Sequence, residues 1–252
     1  LPSLERMLKQ LPSVVMLQDT RLGEGRRAID QIRKSLRWVA PLYHAQFTST
    51  RARVWDARKG RRVVQRIGVC TLVHKSMLPV LEQVSLTDMG LSSAQRRACE
   101  GRVLITRMAG RSEQPDVCVN VYQHVGERHE QQELVYTALQ RIITHMRERS
   151  GQVILGGDFN ASMHQRRGYT TDHRRTDARF GEFVEDVGAT LSATSSFEFT
   201  WQAASGAQAA ILDYIMVIGD ATVQFGSTAR ESSHPSHDHA VLKATFGGMH
   251  LH

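Results

Sequence analysis

Cysteine is scarce in this chain: Cys70, Cys99 and Cys118 are the three in 252 residues. An odd number with no CxxC spacing excludes a disulfide framework and a thiolate metal site, and it fits a reducing, intracellular compartment. Long apolar runs are missing too. None approaches the ~20 residues that a membrane-spanning helix needs, and no signal-peptide pattern is visible. Lysine is rare: among 32 basic residues the lysines are Lys9, Lys34, Lys59, Lys75 and Lys243, and the rest are arginine. Arginine's planar fork grips phosphate at two points where lysine offers one. With a net charge of +7 and a pI near 9.7, the balance points to a polyanionic partner. Apolar residues, at 41%, suffice for a core, and the length suits one large domain, expected to span residues 1–252. The chain opens on Leu1 rather than Met and is expected to be a piece of a longer polypeptide.

What is present is organised around Val153-Ile154-Leu155-Gly156-Gly157-Asp158-Phe159-Asn160. The three apolar residues predict a short buried strand, and the two glycines a tight turn after it. Asp158 and Asn160 are two apart, so in strand-like geometry both point to one side. Together they offer a carboxylate and an amide, which suit a hard cation and a phosphate. A turn in which these side chains bond their own backbone fits the same residues.

Periodicity predicts helices over 2–11, 24–36 and 127–149, the last with Leu134, Leu139, Ile142, Ile143 and Met146 inward. Strands are predicted at 14–17, 38–47, 63–74, 102–108, 116–123, near 199–201 and at 211–217. The run 211–217 carries Asp213 in its middle, and a buried acid is costly without a partner. Arginines gather in two places. Arg51, Arg53, Arg58, Arg61 and Arg62 surround a predicted hairpin loop with Trp55 available for stacking. Arg166, Arg167, Arg174, Arg175 and Arg179 lie in a segment, 165–179, too polar for a core. It reads as a loop, either mobile or in contact with nucleic acid. A short helix with Phe180, Phe183, Val184 and Val187 on one side is predicted after it.

Five strings stand out in chain order: Leu17-Gln18-Asp19-Thr20, Asn120-Val121-Tyr122, Gly157-Asp158-Phe159-Asn160, Leu212-Asp213-Tyr214 and Ser236-His237-Asp238-His239. In this order they resemble the motifs of the endonuclease/exonuclease/phosphatase (DNase I-like) superfamily. The apurinic/apyrimidinic-type endonuclease domains of LINE-type retrotransposons look nearest. Asp19 stands where the superfamily usually has Glu, one methylene shorter, and His237 stands in a Ser place. The superfamily's earlier Asn-bearing strand is not found ahead of residue 14.

The resemblance implies an α/β (α+β) fold, a four-layer sandwich of two mostly antiparallel sheets packed face to face with helices outside, here without the N-terminal strand. It implies Mg2+, with Mn2+ as a substitute, held by Asp19, Asp238 and Asp158. Asp158 would also orient or deprotonate the attacking water, Asn160 would bind phosphate, and Tyr122 would support it. His239, paired with Asp213, would donate to a phosphate oxygen. Arg166, Arg167, Arg174, Arg175 and His124 would contact nucleic acid. Three histidines, His234, His237 and His239, open a zinc alternative, but nothing is spaced to complete a tetrahedral site.

The function so implied is a metal-dependent phosphodiesterase that nicks DNA to 3′-hydroxyl and 5′-phosphate ends. In the retrotransposon branch it would be fused to a reverse transcriptase and work in a nucleus. A phosphatase acting on inositol or other small phosphates shares this chemistry. A degenerate binding module is the non-enzymatic alternative.

Overall fold

A computed structural model of the chain describes residues 13–20, 30, 34, 40–56, 61–77, 80–109, 116–125, 128–149, 152–163, 171–191, 199–203, 208–219, 224–231, 239 and 241–247. The helix expected at 2–11 lies outside these, as does most of that at 24–36, of which positions 30 and 34 are helical and exposed. In chain order the strands are β1 (Val14–Leu17), β2 (Tyr43–Asp56), β3 (Arg61–His74), β4 (Val80–Val84), β5 (Val103–Ala109), β6 (Asp116–Tyr122), β7 (Gln152–Asp158), β8 (Thr190–Leu191), β9 (Trp201–Gln202), β10 (Ala209–Ala210), β11 (Asp213–Gly219), β12 (Gln224–Glu231) and β13 (Val241–Gly247). The helices whose bounds fall among the described residues are α1 (Ser93–Cys99), α2 (His129–Arg147) and α3 (Thr171–Asp186).

Two sheets dominate. The first has the order β1-β3-β2, all antiparallel. The second has the order β4-β5-β6-β7-β11-β8, and β6-β7 is its one parallel pair. The sheets pack face to face over an apolar layer of Val73, Met108, Cys118 and Ile154, flanked by Val14, Met16 and Ile215. The other face of the second sheet is covered by α2 and α3. Val135, Tyr136, Leu139, Ile142, Ile143 and Met146 recur on one side of α2 and are buried there with Phe159, Phe180 and Phe183. Each large apolar side chain so buried contributes on the order of 1.5–3 kcal/mol relative to exposure. This is the mixed α/β, two-sheet sandwich that the resemblance implied.

Some boundaries differ from expectation. Pro41 sits in a single 3-10 turn, Ala40–Leu42, so β2 begins only at Tyr43. It then runs with β3 for 14 residues, out to Asp56 opposite Arg61. The polar stretch read as a loop through Arg179 is helical from Thr171 onward. Its inward side starts with Thr176 and continues through Phe180, Phe183 and Val184, with Val187 buried just past its end. Asp213 opens β11 rather than sitting in mid-strand.

Candidate active site

Strand register assembles the site. Tyr122 on β6 pairs with Asp158 on β7, and Asp158 pairs with Asp213 on β11. Three candidate side chains therefore stand in one row across three neighbouring strands. The row lies at the carboxyl ends of the parallel pair β6-β7, where sites gather in α/β sheets.

The glycine pair before Asp158 does not make the expected turn. Both residues lie within β7, and each permits a close approach. Gly157 has φ +141°, and a Cβ there would fall 1.9 Å from the Val121 carbonyl oxygen. A Cβ on Gly156 would fall 2.8 Å from the Met16 sulfur, on the opposing sheet. The glycines bring the end of β7 against β6 on one side and β1 on the other.

The turn comes one residue later. Phe159 is buried, stacks on Phe180 at 4.9 Å and donates its N–H to the Leu212 carbonyl at 2.9 Å. Asn160 then adopts a left-handed φ of 49°. Its backbone N–H donates to Asp158 Oδ1 at 2.9 Å, and its side-chain amide donates to the Gln123 carbonyl at 3.0 Å. Asp158 and Asn160 are thus joined by a turn rather than by strand alternation. The following loop is held by Ser162 N–H donating to Asp177 Oδ1 at 2.7 Å, and by Met163 N–H donating to the Tyr214 hydroxyl at 3.0 Å.

His239 closes the site. Its Nδ1 lies 3.0 Å from Asp213 Oδ2, and its Nε2 lies 3.9 Å from Asp158 Oδ2. Its backbone bridges to Trp201. Thr200, just before, accepts from the N–H groups of Leu212 and Asp213 at 2.9 and 3.1 Å. The Thr200-Trp201 pair thereby holds both the acid and the imidazole. A carboxylate on Nδ1 fixes the tautomer and points Nε2 at the site.

Arg102 lies beneath the row, and nothing in the sequence pattern singled it out. It is 5% exposed. Its Nη1 donates to the carbonyls of Tyr122 and Gln123 at 3.1 and 3.2 Å, and its guanidinium lies 5.2 Å from the Tyr122 ring centroid. Burial lowers its pKa to about 10, with Arg128 acting in the same direction, while Tyr122, Asp19 and Asp158 oppose the shift. It remains a cation at neutral pH. Gln123 O is shared between Arg102 and Asn160, so the cation also supports the turn that carries Asn160.

Asp19 follows β1 with φ 44°, also left-handed. Arg174 and Arg175 are exposed on α3. Arg179 turns away from the site and donates to Glu133 at 2.6 and 3.1 Å. Asp238, Arg166 and Arg167 lie outside the described residues. His124 corrects an expectation. It is 7% exposed and points inward, with Nε2 at 3.2 Å from the Ala98 carbonyl. Burial and the neighbouring Arg102 lower its pKa to about 3. A neutral, inward histidine is no phosphate contact.

Asp158, Asp213 and His239 offer ligand atoms all within 4.8 Å of one another. The carboxylates of Asp158 and Asp213 are the oxygen donors that a hard divalent cation takes, so the site fits one, with His239 beside it.

The sequence matches the profile of the endonuclease/exonuclease/phosphatase family over residues 3–234. Comparison with curated protein sequences finds no match. Several solved structures share the fold. The catalytic domain of Xenopus laevis APE2 aligns with a TM-score of 0.64 at 18% identity, covering 96% of this chain and 87% of that one. The 3′ phosphatase NExo from Neisseria, bound to a product DNA hairpin, aligns at 0.66 and 16%, covering 98% and 93%. The endonuclease domain of TRAS1, a telomere-specific non-LTR retrotransposon, aligns at 0.58 and 11%, covering 95% and 87%.

Proposed function

This chain belongs to the endonuclease/exonuclease/phosphatase family, and on that footing we propose that it is a divalent-metal-dependent DNA endonuclease that leaves 3′-hydroxyl and 5′-phosphate ends. The observation that carries this reading is the Asp158–His239–Asp213 arrangement at one strand end, with 3.9 and 3.0 Å separations.

A phosphodiester resists water because its anionic oxygens repel a nucleophile. Catalysis must offset that charge, aim the water and stabilise the leaving oxygen. Bound Mg2+ or Mn2+ supplies Lewis acidity at the phosphate. Asp19 and Asp158 would hold it, with Asp238, the sequence neighbour of His239. Asp158 also accepts a hydrogen bond from the attacking water and orients it. His239, held through Nδ1 by Asp213, donates from Nε2 to a non-bridging phosphate oxygen. Asn160 and Tyr122 bracket the phosphate from the loop and the strand end.

DNA as substrate is supported by the arginine-rich, +7 chain and by the likeness to NExo, solved with a DNA hairpin, and to the TRAS1 endonuclease domain. The TRAS1 likeness also supports a retrotransposon setting, in which a linked reverse transcriptase primes from the nick. The phosphatase reading draws on NExo's description as a 3′ phosphatase. Product ends separate the two. Nicked DNA that a polymerase extends directly supports the endonuclease. Release of inorganic phosphate with no strand break supports the phosphatase and overturns the proposal.

A further inference from the structure

Two motif side chains take no part in the chemistry above: Gln18, one ahead of Asp19, and Asn120, two ahead of Tyr122. Asn120 is fully buried between the sheets, where an amide is costly unless its hydrogen bonds are made. They are made. Gln18 Nε2 donates to Asn120 Oδ1 at 2.7 Å. Asn120 Nδ2, with two protons to share, lies 3.0 Å from Cys70 O, 3.3 Å from Thr71 Oγ1 and 3.4 Å from Leu17 O. One side chain on β6 thereby ties the second sheet to both β1 and β3 of the first.

Carboxylates from both sheets converge on one cation, since Asp19 and Asp158 both act on the buried Arg102 guanidinium. Asp19 extends from β1, whereas Tyr122, Asp158 and Asp213 belong to the second sheet. Asp19 also sits at φ 44°, a left-handed backbone conformation that persists where its surroundings enforce it. Both flanks enforce it. After Asp19, Thr20 N–H donates to the Gly68 carbonyl at 3.0 Å. Gly68 admits this approach because a Cβ there would lie 2.6 Å from the Thr48 carbonyl oxygen and 3.2 Å from Thr20 Oγ1. Before Asp19, the Gln18 side chain and the Leu17 carbonyl both end on Asn120.

We infer that the Gln18–Asn120 hydrogen bond is a positioning device for Asp19: it fixes the carboxylate borne on one sheet against those borne on the other, and so sets the affinity of the site for a divalent cation. This rests on the metal-dependent reading of the site proposed above. Residues that orient metal ligands from behind typically change metal affinity or activity by about 10–100-fold when replaced.

The test compares three proteins: wild type, Gln18→Met and Gln46→Met. The control removes an inter-sheet hydrogen bond of the same kind, Thr106 Oγ1 to Gln46 Oε1 at 2.7 Å, between β5 and β2. Mn2+ binding is measured by calorimetry, the Mg2+ dependence of plasmid nicking alongside it, and folding by thermal melting. Gln18 is only half-buried; should its methionine variant not fold, Gln18→Ala replaces it. For Gln18→Met we expect Mn2+ affinity weaker by about 10–100-fold, a matching rise in the Mg2+ needed for half-maximal nicking, and recovery of rate at saturating metal. Gln46→Met is expected to bind Mn2+ as wild type does. Unchanged affinity in Gln18→Met, or equal weakening in both variants, overturns the inference while leaving the proposed function standing. A wild-type protein that neither binds Mn2+ nor cuts DNA overturns the proposed function, and the inference with it.

Discussion

Asp158 and Asp213 occupy directly paired positions on adjacent antiparallel strands, and the imidazole of His239 reaches both, at 3.9 and 3.0 Å. Like charges placed opposite one another in a sheet repel. Their pairing at a strand end, with Asp158 buried, calls for positive charge between them. An imidazolium, a divalent cation, or both meet that need. The arrangement weakens the sheet locally and gains a place where a phosphate's charge is met.

Neutralising one acid separates those two consequences. Asp213→Asn keeps the shape but removes the carboxylate that holds His239 Nδ1. Nicking is expected to fall by about 10²–10⁴-fold, the range typical of general acid–base groups, while the melting temperature holds or rises because repulsion is relieved. Thermal melting beside a plasmid assay checks both; a lower melting temperature with full activity would contradict the reading.

Gly157 tolerates no side chain. At φ +141° and 1.9 Å from the Val121 carbonyl oxygen, an added Cβ has to break the β6-β7 pairing that sets Tyr122 beside Asp158. Gly157→Ala is expected to cost more than about 3 kcal/mol in urea unfolding, beyond the ordinary range for point changes. Gly181→Ala is the control, since a Cβ there meets nothing within 4 Å and its backbone is helical. A mild effect at Gly157 would mean that strand contact is looser than described.

His124 imposes a pH dependence on stability. Its folded pKa, lowered to about 3 by burial and by Arg102, lies below the ordinary ~6.5 of the unfolded chain. Its Nδ1 has no hydrogen-bond partner among the described residues, so added charge there finds no acceptor. Above ~6.5 neither state holds the proton; between ~6.5 and ~3 the unfolded state binds it and the folded state does not. Stability should therefore fall as pH drops through that window, by up to about 1.4 kcal/mol per pH unit from this group. Urea midpoints from pH 7 to 5 should decline less in His124→Gln than in wild type; parallel declines would remove His124 as the cause.

Arg102 bridges two carbonyls with one guanidinium. Lysine keeps the charge but not the planar fork. Arg102→Lys is expected to destabilise the protein by about 1.5–3 kcal/mol, the scale of a hydrogen bond to a charged group. It should also lower nicking, since Gln123 O supports the Asn160 side chain as well. Wild-type stability in Arg102→Lys would show that charge alone suffices there.

How much of this could be read from the chain depended on the range of the interactions. Long amphipathic runs such as α2 state their period in their own residues, and the strand ends bearing Asp158, Tyr122 and Asp19 follow from local apolar runs and motif order. Contacts made across the fold left no local trace. Gly156 and Gly157 look like a turn until Met16 and Val121 are placed against them. Asp213 looks buried in mid-strand because Ile211 and Leu212 extend the apolar run, yet the Leu212 backbone has left the ladder to reach Thr200 and Phe159. His124 looks exposed because the loop after Tyr122 is polar, and only the Ala98 carbonyl explains its inward turn. The arginines of α3 hide a helix whose inward side begins with a threonine.

The most direct test of the account is a plasmid assay. Supercoiled DNA is incubated with the protein and Mg2+, beside an EDTA control and a His239→Ala variant. Conversion to open circles that requires metal and is lost in the variant is the expected result, and it would place phosphodiester cleavage at the Asp158–His239–Asp213 site. A folded wild-type protein that leaves the plasmid supercoiled, or a His239→Ala variant that nicks as fast, would contradict it.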